Sequence, residues 1–279
     1  MKLEPSAIQL RFVPLDRMLL HEEDDPFRAK RLILSLKHDG KLRNPPLVAQ
    51  QGDCFIVLDG ATRTTALREM GYRDVLVQIV DYYSDAIQVG VWHHVLAGLS
   101  HNRLLATLAD VDGVTLQAVD AEAASLMLGT REIIACVAMR NGQWFGVLCD
   151  DPKASDNQHA DLLCRLVAEY RGKTEVHRIV ELDMPALVKE YPQLTAAIAF
   201  PAFSPSEITQ IAMNGSKVPM GITRHIVAGR ALGIDVPLAM FTGEQTLEEK
   251  NAWLNETILK RLQPNRIRLY QEPVFVFDE

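Results

Sequence analysis

The stretch Cys54-Phe55-Ile56-Val57-Leu58-Asp59-Gly60-Ala61-Thr62-Arg63-Thr64 decides how this chain is read. The apolar run Cys54–Leu58 holds β-branched and aromatic residues and reads as a buried strand. Asp59-Gly60 ends it, and a short helix follows from Ala61 to a glycine stop at Gly71. A strand that passes through glycine into a helix presents backbone N–H groups at the helix start, where the dipole favours an anion. Gly60 permits close backbone approach. Thr62 and Thr64 offer hydroxyl donors, and Arg63 offers a planar fork matched to phosphate. Asp59, at the strand end, suits a Mg²⁺ ligand or an orienting carboxylate. The spacing is not that of a Walker A loop. A capped helix with Arg63 in a surface ion pair satisfies the same residues, so the pattern alone leaves both readings open.

Working outward, Ile8–Leu15 reads as a strand and Phe27–Gly40 as a helix, with Leu32, Ile33 and Leu36 at helical spacing. Leu47–Gly60 reads as two strands around Gln51-Gly52-Asp53, and Val75–Tyr82 as another. Further on, a strand and a helix are predicted over 114–129. A hairpin spans Glu132–Asp151, with Asn141-Gly142 suited to a type I′ turn. Helices are predicted over 157–172, 184–191, 204–213 and 246–263, with strands over 176–182 and 195–203. Gly221–Ile234 reads as a second helix after Asn214–Met220, and Pro237–Gly243 as a strand. A terminal strand pair is predicted over 267–279. Mixed order and hairpins give an α+β fold class, not a doubly wound parallel sheet.

With 279 residues the chain supports a full core in one or two domains. At 48% hydrophobic and 23% charged residues, it is neither disordered nor coiled coil. No apolar run nears the ~20 residues of a membrane span. Glu4 and Pro5 interrupt the start where a signal peptide needs apolar residues. The expected location is cytoplasmic, with no membrane partner. Net charge is −7, with most of the deficit in residues 101–200, which carry 9 basic and 14 acidic side chains. A protein that lives mainly on nucleic acid usually shows a basic excess. The four cysteines lack CxxC spacing and have apolar flanks, as buried thiols do.

Three further constellations carry chemistry. His21-Glu22-Glu23-Asp24-Asp25 places four carboxylates in a row before Pro26, either an exposed acidic loop or a mutually repelling group tuned toward a general base. Gly221-Ile222-Thr223-Arg224-His225, read as a helix start, suits an anion. With residues 204–213 it also has the outline of a helix-turn-helix. In Gly90-Val91-Trp92-His93-His94 the adjacent histidines share no helical face, so Trp92 as a core or pocket wall outweighs a metal pair.

Phe12–Arg28, Leu42–Ala49 and Val57–Val80 together resemble the ParB/sulfiredoxin-like fold, and within it the free L-serine kinases of the SbnI and SerK type. Gly90, the stretch Val218–Phe241 and the closing Glu272–Phe277 resemble the same family. The resemblance implies a ParB/sulfiredoxin-like nucleotide-binding domain over residues 1–95 and a mixed α/β domain over 96–279, with the active site in the cleft between them. It implies phosphoryl transfer from ATP or ADP, with Mg²⁺, to the hydroxyl of free L-serine. The O-phospho-L-serine formed would feed siderophore assembly through 2,3-diaminopropionate, or cysteine synthesis. By resemblance, Glu22 is the base for the serine hydroxyl and Asp59 the acidic residue of the nucleotide motif and metal ligand. Gly60, Ala61, Thr62, Arg63 and Thr64 cradle phosphate. Trp92, Thr223, Arg224 and His225 face the serine. The family commonly has histidine just before the motif arginine; Thr62 stands there in this chain and removes any imidazole contact to phosphate. The alternative function is a ParB-like DNA-binding regulator that senses nucleotide or haem, with residues 204–232 on the duplex.

Overall fold

Apolar runs bounded by glycine or proline set the strands here, and capped amphipathic stretches set the helices. The structure, a computed structural model, describes residues 8–261. The strand pair predicted over 267–279, and the family resemblance at Glu272–Phe277, lie outside the described residues. The chain runs β1 (Gln9–Pro14), β2 (Met18–Leu20), α1 (Pro26–Asp39), β3 (Lys41–Leu42), β4 (Leu47–Gln51), β5 (Cys54–Asp59), α2 (Ala61–Glu69) and β6 (Asp74–Val80). Next come β7 (Ile87–Val91), β8 (His93–Ala97), α3 (His101–Ala109), β9 (Val114–Val119), α4 (Ala121–Gly129), β10 (Ala135–Met139) and β11 (Trp144–Cys149). They are followed by α5 (Asp156–Ala168), β12 (Glu175–Ile179), α6 (Met184–Glu190), β13 (Leu194–Ala199), α7 (Pro205–Met213) and β14 (Thr223–Val227). The last described elements are β15 (Val236–Pro237), α8 (Ala239–Thr242) and α9 (Leu247–Arg261).

Two compact units result. One takes the chain up to Leu20, Asp24–Ile87 and the residues from Val227 onward; the other takes His21–Glu23 and Gln88–Ile226. This differs from a linear division at 95/96, because the chain returns to the first unit to finish its core. Val236, Leu238, Phe241 and Leu254 pack in one cluster with Phe12, Leu36, Val57, Leu67 and Leu76.

The first unit is built on a five-stranded mixed sheet in the order β1-β6-β4-β5-β2. β5 runs antiparallel to β4 and parallel to β2, and four consecutive residues of it are buried. That burial on both faces explains its uninterrupted apolar run. Helix α1 starts cleanly because Asp25 accepts from Phe27 N–H at 2.8 Å and Pro26 takes the first helical position. Helix α9 covers the edge strand β1: Asn251 accepts from Phe12 N–H at 2.8 Å and donates to Phe12 O at 3.1 Å. Open backbone of an edge strand is thereby satisfied. Lys250, fully buried, ion-pairs with Asp74 of β6 at 2.9 Å.

The second unit is built on a six-stranded sheet in the order β12-β8-β13-β10-β11-β9, with every pair antiparallel. The two sheets together, one mixed and one antiparallel, are the α+β arrangement the pattern implies. In the β10–β11 hairpin the turn is not type I′. Gly142 has φ 88°, Asn141 does not share the positive region, and Gly142 N–H donates to Met139 O at 3.0 Å. The Asn141 side chain accepts from Gln143 N–H at 3.1 Å, a side-chain turn that stabilises a longer loop closed by a left-handed glycine.

Two larger corrections concern the C-terminal third. Gly221–Ile234 is not a helix: Thr223–Val227 is strand β14, paired with β7. The apolar spacing of Ile222, Ile226 and Val227 fits a helix, but β-branched residues and flanking glycines favour the extended form once a partner strand is present. The helix-turn-helix outline fails with it, since α7 has no recognition helix after it. The predicted strand over 237–243 is instead the short helix α8, with only Val236–Pro237 extended. Among the described residues no helix is long and apolar enough to cross a membrane.

Candidate active site

In the first unit, β5 delivers Asp59 and α2 begins at Gly60. Gly60 has φ 96° and supplies no side-chain cap for the N–H groups that open the helix. A Cβ on Gly60 would lie 3.0 Å from Arg63 Nε and 3.1 Å from Pro46 Cα. Glycine therefore lets the Arg63 guanidinium fold back over the turn. That guanidinium donates to Asp59 Oδ2 at 2.9 Å and to Asn44 O at 3.2 Å. Thr64 is fully buried, and its hydroxyl donates to Gly60 O at 3.0 Å, which stitches the first turn shut. Thr62 and Ala61 are half-buried in that turn.

A residue that sequence reasoning missed completes the group. Arg230 donates to the same Asp59 Oδ2 at 2.5 Å and to Pro45 O at 3.0 Å, while its Nη1 is buried with no partner among the described residues. Gln78 fixes the segment that carries it, donating to Gly229 O at 2.9 Å and accepting from Ala231 N–H at 2.8 Å. Burial alone would raise the Asp59 carboxyl, but the Arg63 and Arg230 charges and hydrogen bonds outweigh it and hold it below its ordinary value. Arg230 is itself pushed down by burial, with Asp59 opposing. Two cations on one carboxylate leave net positive charge beside the helix start, an arrangement that suits an anion. The bonds that Asp59 accepts from Arg63 and Arg230 both end on Oδ2. Among the described residues no group of three or more His, Cys, Asp or Glu forms a metal cage.

In the second unit, Glu22 is the centre. Its Oε2 accepts from Gly221 N–H at 2.9 Å and its Oε1 from Thr223 N–H at 2.9 Å. The Thr223 hydroxyl donates to Oε1 as well. His21 Nε2 meets the same Thr223 Oγ1 at 2.8 Å, and the His21 ring stacks edge-on against His225 at 5.3 Å. The backbones are pinned too: Val218 N–H donates to His21 O at 2.8 Å and Glu23 N–H to Val218 O at 2.9 Å. Gly221 has φ 73°, a left-handed conformation that favours glycine, and a Cβ there would fall 1.9 Å from the Arg178 guanidinium, which would have to shift. Arg171 braces the same loop, donating to Met220 O at 2.8 Å and pairing with Glu23 at 3.6 Å. Arg224 lies over the Trp92 ring at 4.9 Å, a cation–π contact beside Gly90, and Trp92 N–H donates to Ile222 O at 2.8 Å.

The acidic run is thus no single cluster. Glu22 enters the cradle, Glu23 meets Arg171, Asp24 accepts from Thr65 at 3.0 Å, and Asp25 caps α1. Likewise His93 and His94 do structural work. His93 Nδ1 accepts from Phe200 N–H at 3.2 Å, and His94 meets the buried Tyr170 hydroxyl at 2.7 Å. Burial, with Arg178, Arg171 and His93 adding to it, pushes His94 down to about 3, so it stays neutral.

The structure therefore brings Asp59, Gly60, Ala61, Thr62, Arg63 and Thr64 together in one unit, and Glu22, Trp92, Thr223, Arg224 and His225 together in the other. Arg230, His21, Arg171 and Arg178 are added to those groups. No local signal marks the additions, since each works through contacts across the fold.

No family model matches the chain. The ATP-dependent L-serine kinase SbnI of Staphylococcus aureus (strain NCTC 8325 / PS 47) is 27% identical over 272 residues, 97% of each chain. The solved structure of Staphylococcus aureus SbnI with a C-terminal truncation aligns with a TM-score of 0.72 and 25% identity, over 90% of this chain and 96% of that one. A free serine kinase solved in complex with AMP has a TM-score of 0.71 at 20% identity, over 84% of this chain and 94% of that one, which shows a shared fold. Fold and relatives place the chain in the class of small-molecule kinases. Within that class it is similar to the SbnI-type L-serine kinases.

Proposed function

We propose that this chain transfers the γ-phosphoryl group of ATP to the hydroxyl of free L-serine, giving ADP and O-phospho-L-serine. The observation that carries the reading is the Glu22 carboxylate, held by Gly221 and by Thr223, which starts the strand that also bears Arg224. An acceptor fixed next to a guanidinium suits an amino-acid hydroxyl and its carboxylate. Serine Oγ attacks the γ-phosphorus, the bond from that phosphorus to the β,γ-bridging oxygen breaks, and the hydroxyl proton passes to Glu22. Arg224, steadied by Trp92, takes the serine carboxylate. The start of α2, Arg63 and Arg230 take the phosphates, and His225 completes the serine side. Phosphoryl transfer depends mostly on positioning and electrostatics, which are what these groups supply. Mg²⁺ supplies charge neutralisation when bound with the nucleotide, and Asp59 Oδ1 is the oxygen we assign to it. The donor ATP follows the name of the relative from Staphylococcus aureus; ADP is the competing donor. Cytoplasmic residence, and supply of phosphoserine to 2,3-diaminopropionate and siderophore assembly or to cysteine synthesis, belong to the same proposal.

The test is direct. Purified protein with Mg²⁺ and serine is offered ATP or ADP in parallel, and phosphoserine is read by mass spectrometry. Formation with ATP supports the reading in full. Formation with ADP alone changes the donor. No product with either donor overturns the assignment.

A further inference from the structure

We infer that His21 is a positioning residue for Glu22, acting through the Thr223 hydroxyl, and that Thr223 belongs to the base and not to the serine pocket. The inference rests on the proposed role of Glu22. It follows from counting protons along three atoms. The Thr223 hydroxyl donates to Glu22 Oε1, so the hydrogen between Thr223 Oγ1 and Glu22 Oε1 belongs to the hydroxyl. Threonine has one such hydrogen. The 2.8 Å contact between His21 Nε2 and Thr223 Oγ1 must then be made by an N–H on Nε2. The geometry therefore assigns the tautomer: His21 Nε2–H donates to Thr223 Oγ1, whose O–H donates to Glu22 Oε1.

His21 is 3% exposed, and its ring is backed by His225. Its main-chain oxygen is tied to Val218 N–H. The ring thus cannot swing away without breaking the cradle. The chain does two things. It fills the second lone pair of Oε1 beside the one that Thr223 N–H takes, so the lone pair of Oε2 not used by Gly221 N–H is the one left for an incoming proton. It also polarises the Thr223 hydroxyl, because hydrogen bonds in series strengthen one another.

Two arms test this. Nitrogen-15 NMR of the imidazoles should show His21 as the Nε2–H form, and Thr223→Val should move the Nε2 and Nδ1 signals of His21. A His21 in the Nδ1–H form, or signals unmoved by T223V, overturns the inference whatever the enzyme does. In the kinetic arm, His21→Phe and Thr223→Val should each lower kcat on the order of 10- to 100-fold, the worth of a hydrogen bond to a charged group, with KM for ATP changed by less than about threefold. His21→Gln, which restores an N–H, should recover much of the loss, and Thr223→Ser should lose less than T223V. The double variant H21F/T223V should fall no further than the worse single. Losses that multiply, or an H21Q as poor as H21F while circular dichroism shows both folded, overturn the inference. If wild-type protein makes no phosphoserine, it is the function that fails, and the NMR arm still decides the chain.

Discussion

Asp59 and Glu22 are two acidic side chains held in opposite ways. Asp59 Oδ2 is clamped by two guanidinium groups, Arg63 at 2.9 Å and Arg230 at 2.5 Å. Glu22 is held by uncharged donors, the N–H groups of Gly221 and Thr223 and the Thr223 hydroxyl. The contrast follows from what each is proposed to do. A phosphate subsite needs cations, and a carboxylate bonded by two arginines holds both in place while leaving charge to spare. A proton acceptor needs a fixed direction but no cation bonded directly to it, since a paired opposite charge stabilises the carboxylate and weakens it as a base. Arg171 is paired with the neighbouring Glu23 and with Met220 O.

The largest break in the comparison is Glu22→Gln. The amide keeps the shape and presents both a donor and an acceptor, yet it cannot take a proton. Loss of general-base catalysis should cost kcat about 10²- to 10⁴-fold. Nucleotide affinity, read by calorimetry, should stay within about twofold, because that affinity is assigned to the other unit. A Glu22→Gln protein that loses ATP binding to the same extent would dissolve the division of labour.

Next in size is the clamp itself. Arg63→Ala and Arg230→Ala should each weaken ATP binding on the order of 10- to 100-fold with a smaller effect on serine KM. Arg63→Lys should recover little, since a point charge cannot bond Asp59 and Asn44 O in two directions. Equal losses in serine KM would mean that the two acidic centres are not specialised.

How much of this was legible in the sequence differs between the same two centres. The Asp59–Thr64 turn is local: strand, glycine and helix follow within eleven residues, and period and capping reveal them. Glu22 is legible as one of four consecutive carboxylates, but only a contact about 200 residues away distinguishes it from its neighbours. Arg230 meets Asp59 across 171 residues, and no propensity rule reaches that far. The strand at Thr223–Val227 failed for a related reason. A short apolar segment takes its form from its partner, and β7 was itself hidden in an unread stretch. Local chemistry writes itself into neighbours in sequence, whereas a cradle assembled from distant backbone N–H groups leaves no motif.

Gly60→Ala sharpens the comparison at smaller scale. At φ 96° an added Cβ costs about 1–2 kcal/mol of backbone strain. It would also press on Arg63 at 3.0 Å and shift the guanidinium from Asp59. Thermal unfolding should move down by a few degrees, and ATP affinity should fall severalfold while the serine-side variants behave as before. Wild-type ATP affinity in G60A would show that the turn serves stability alone.

The smallest effect is a pH signature that only the clamped centre should carry. The folded Asp59 carboxyl sits below its ordinary value, because the two arginines outweigh burial. In the unfolded chain it returns to about 3.9. A depressed group contributes stability that is fully present above the unfolded value and is lost as pH falls through the folded one. Asp59→Asn should therefore unfold at a lower temperature than wild type from pH 7 down to pH 5, with a constant gap. The gap should then narrow as pH drops below about 4. Its size should be on the order of a degree or two, because the Asp59 side chain is 53% exposed and solvent screens the pair. A gap that persists unchanged at pH 3 would assign the stabilisation to the shape of the side chain and not to its charge. The arginines would then be held apart by packing, and the clamp would no longer contrast with the cradle on electrostatic grounds.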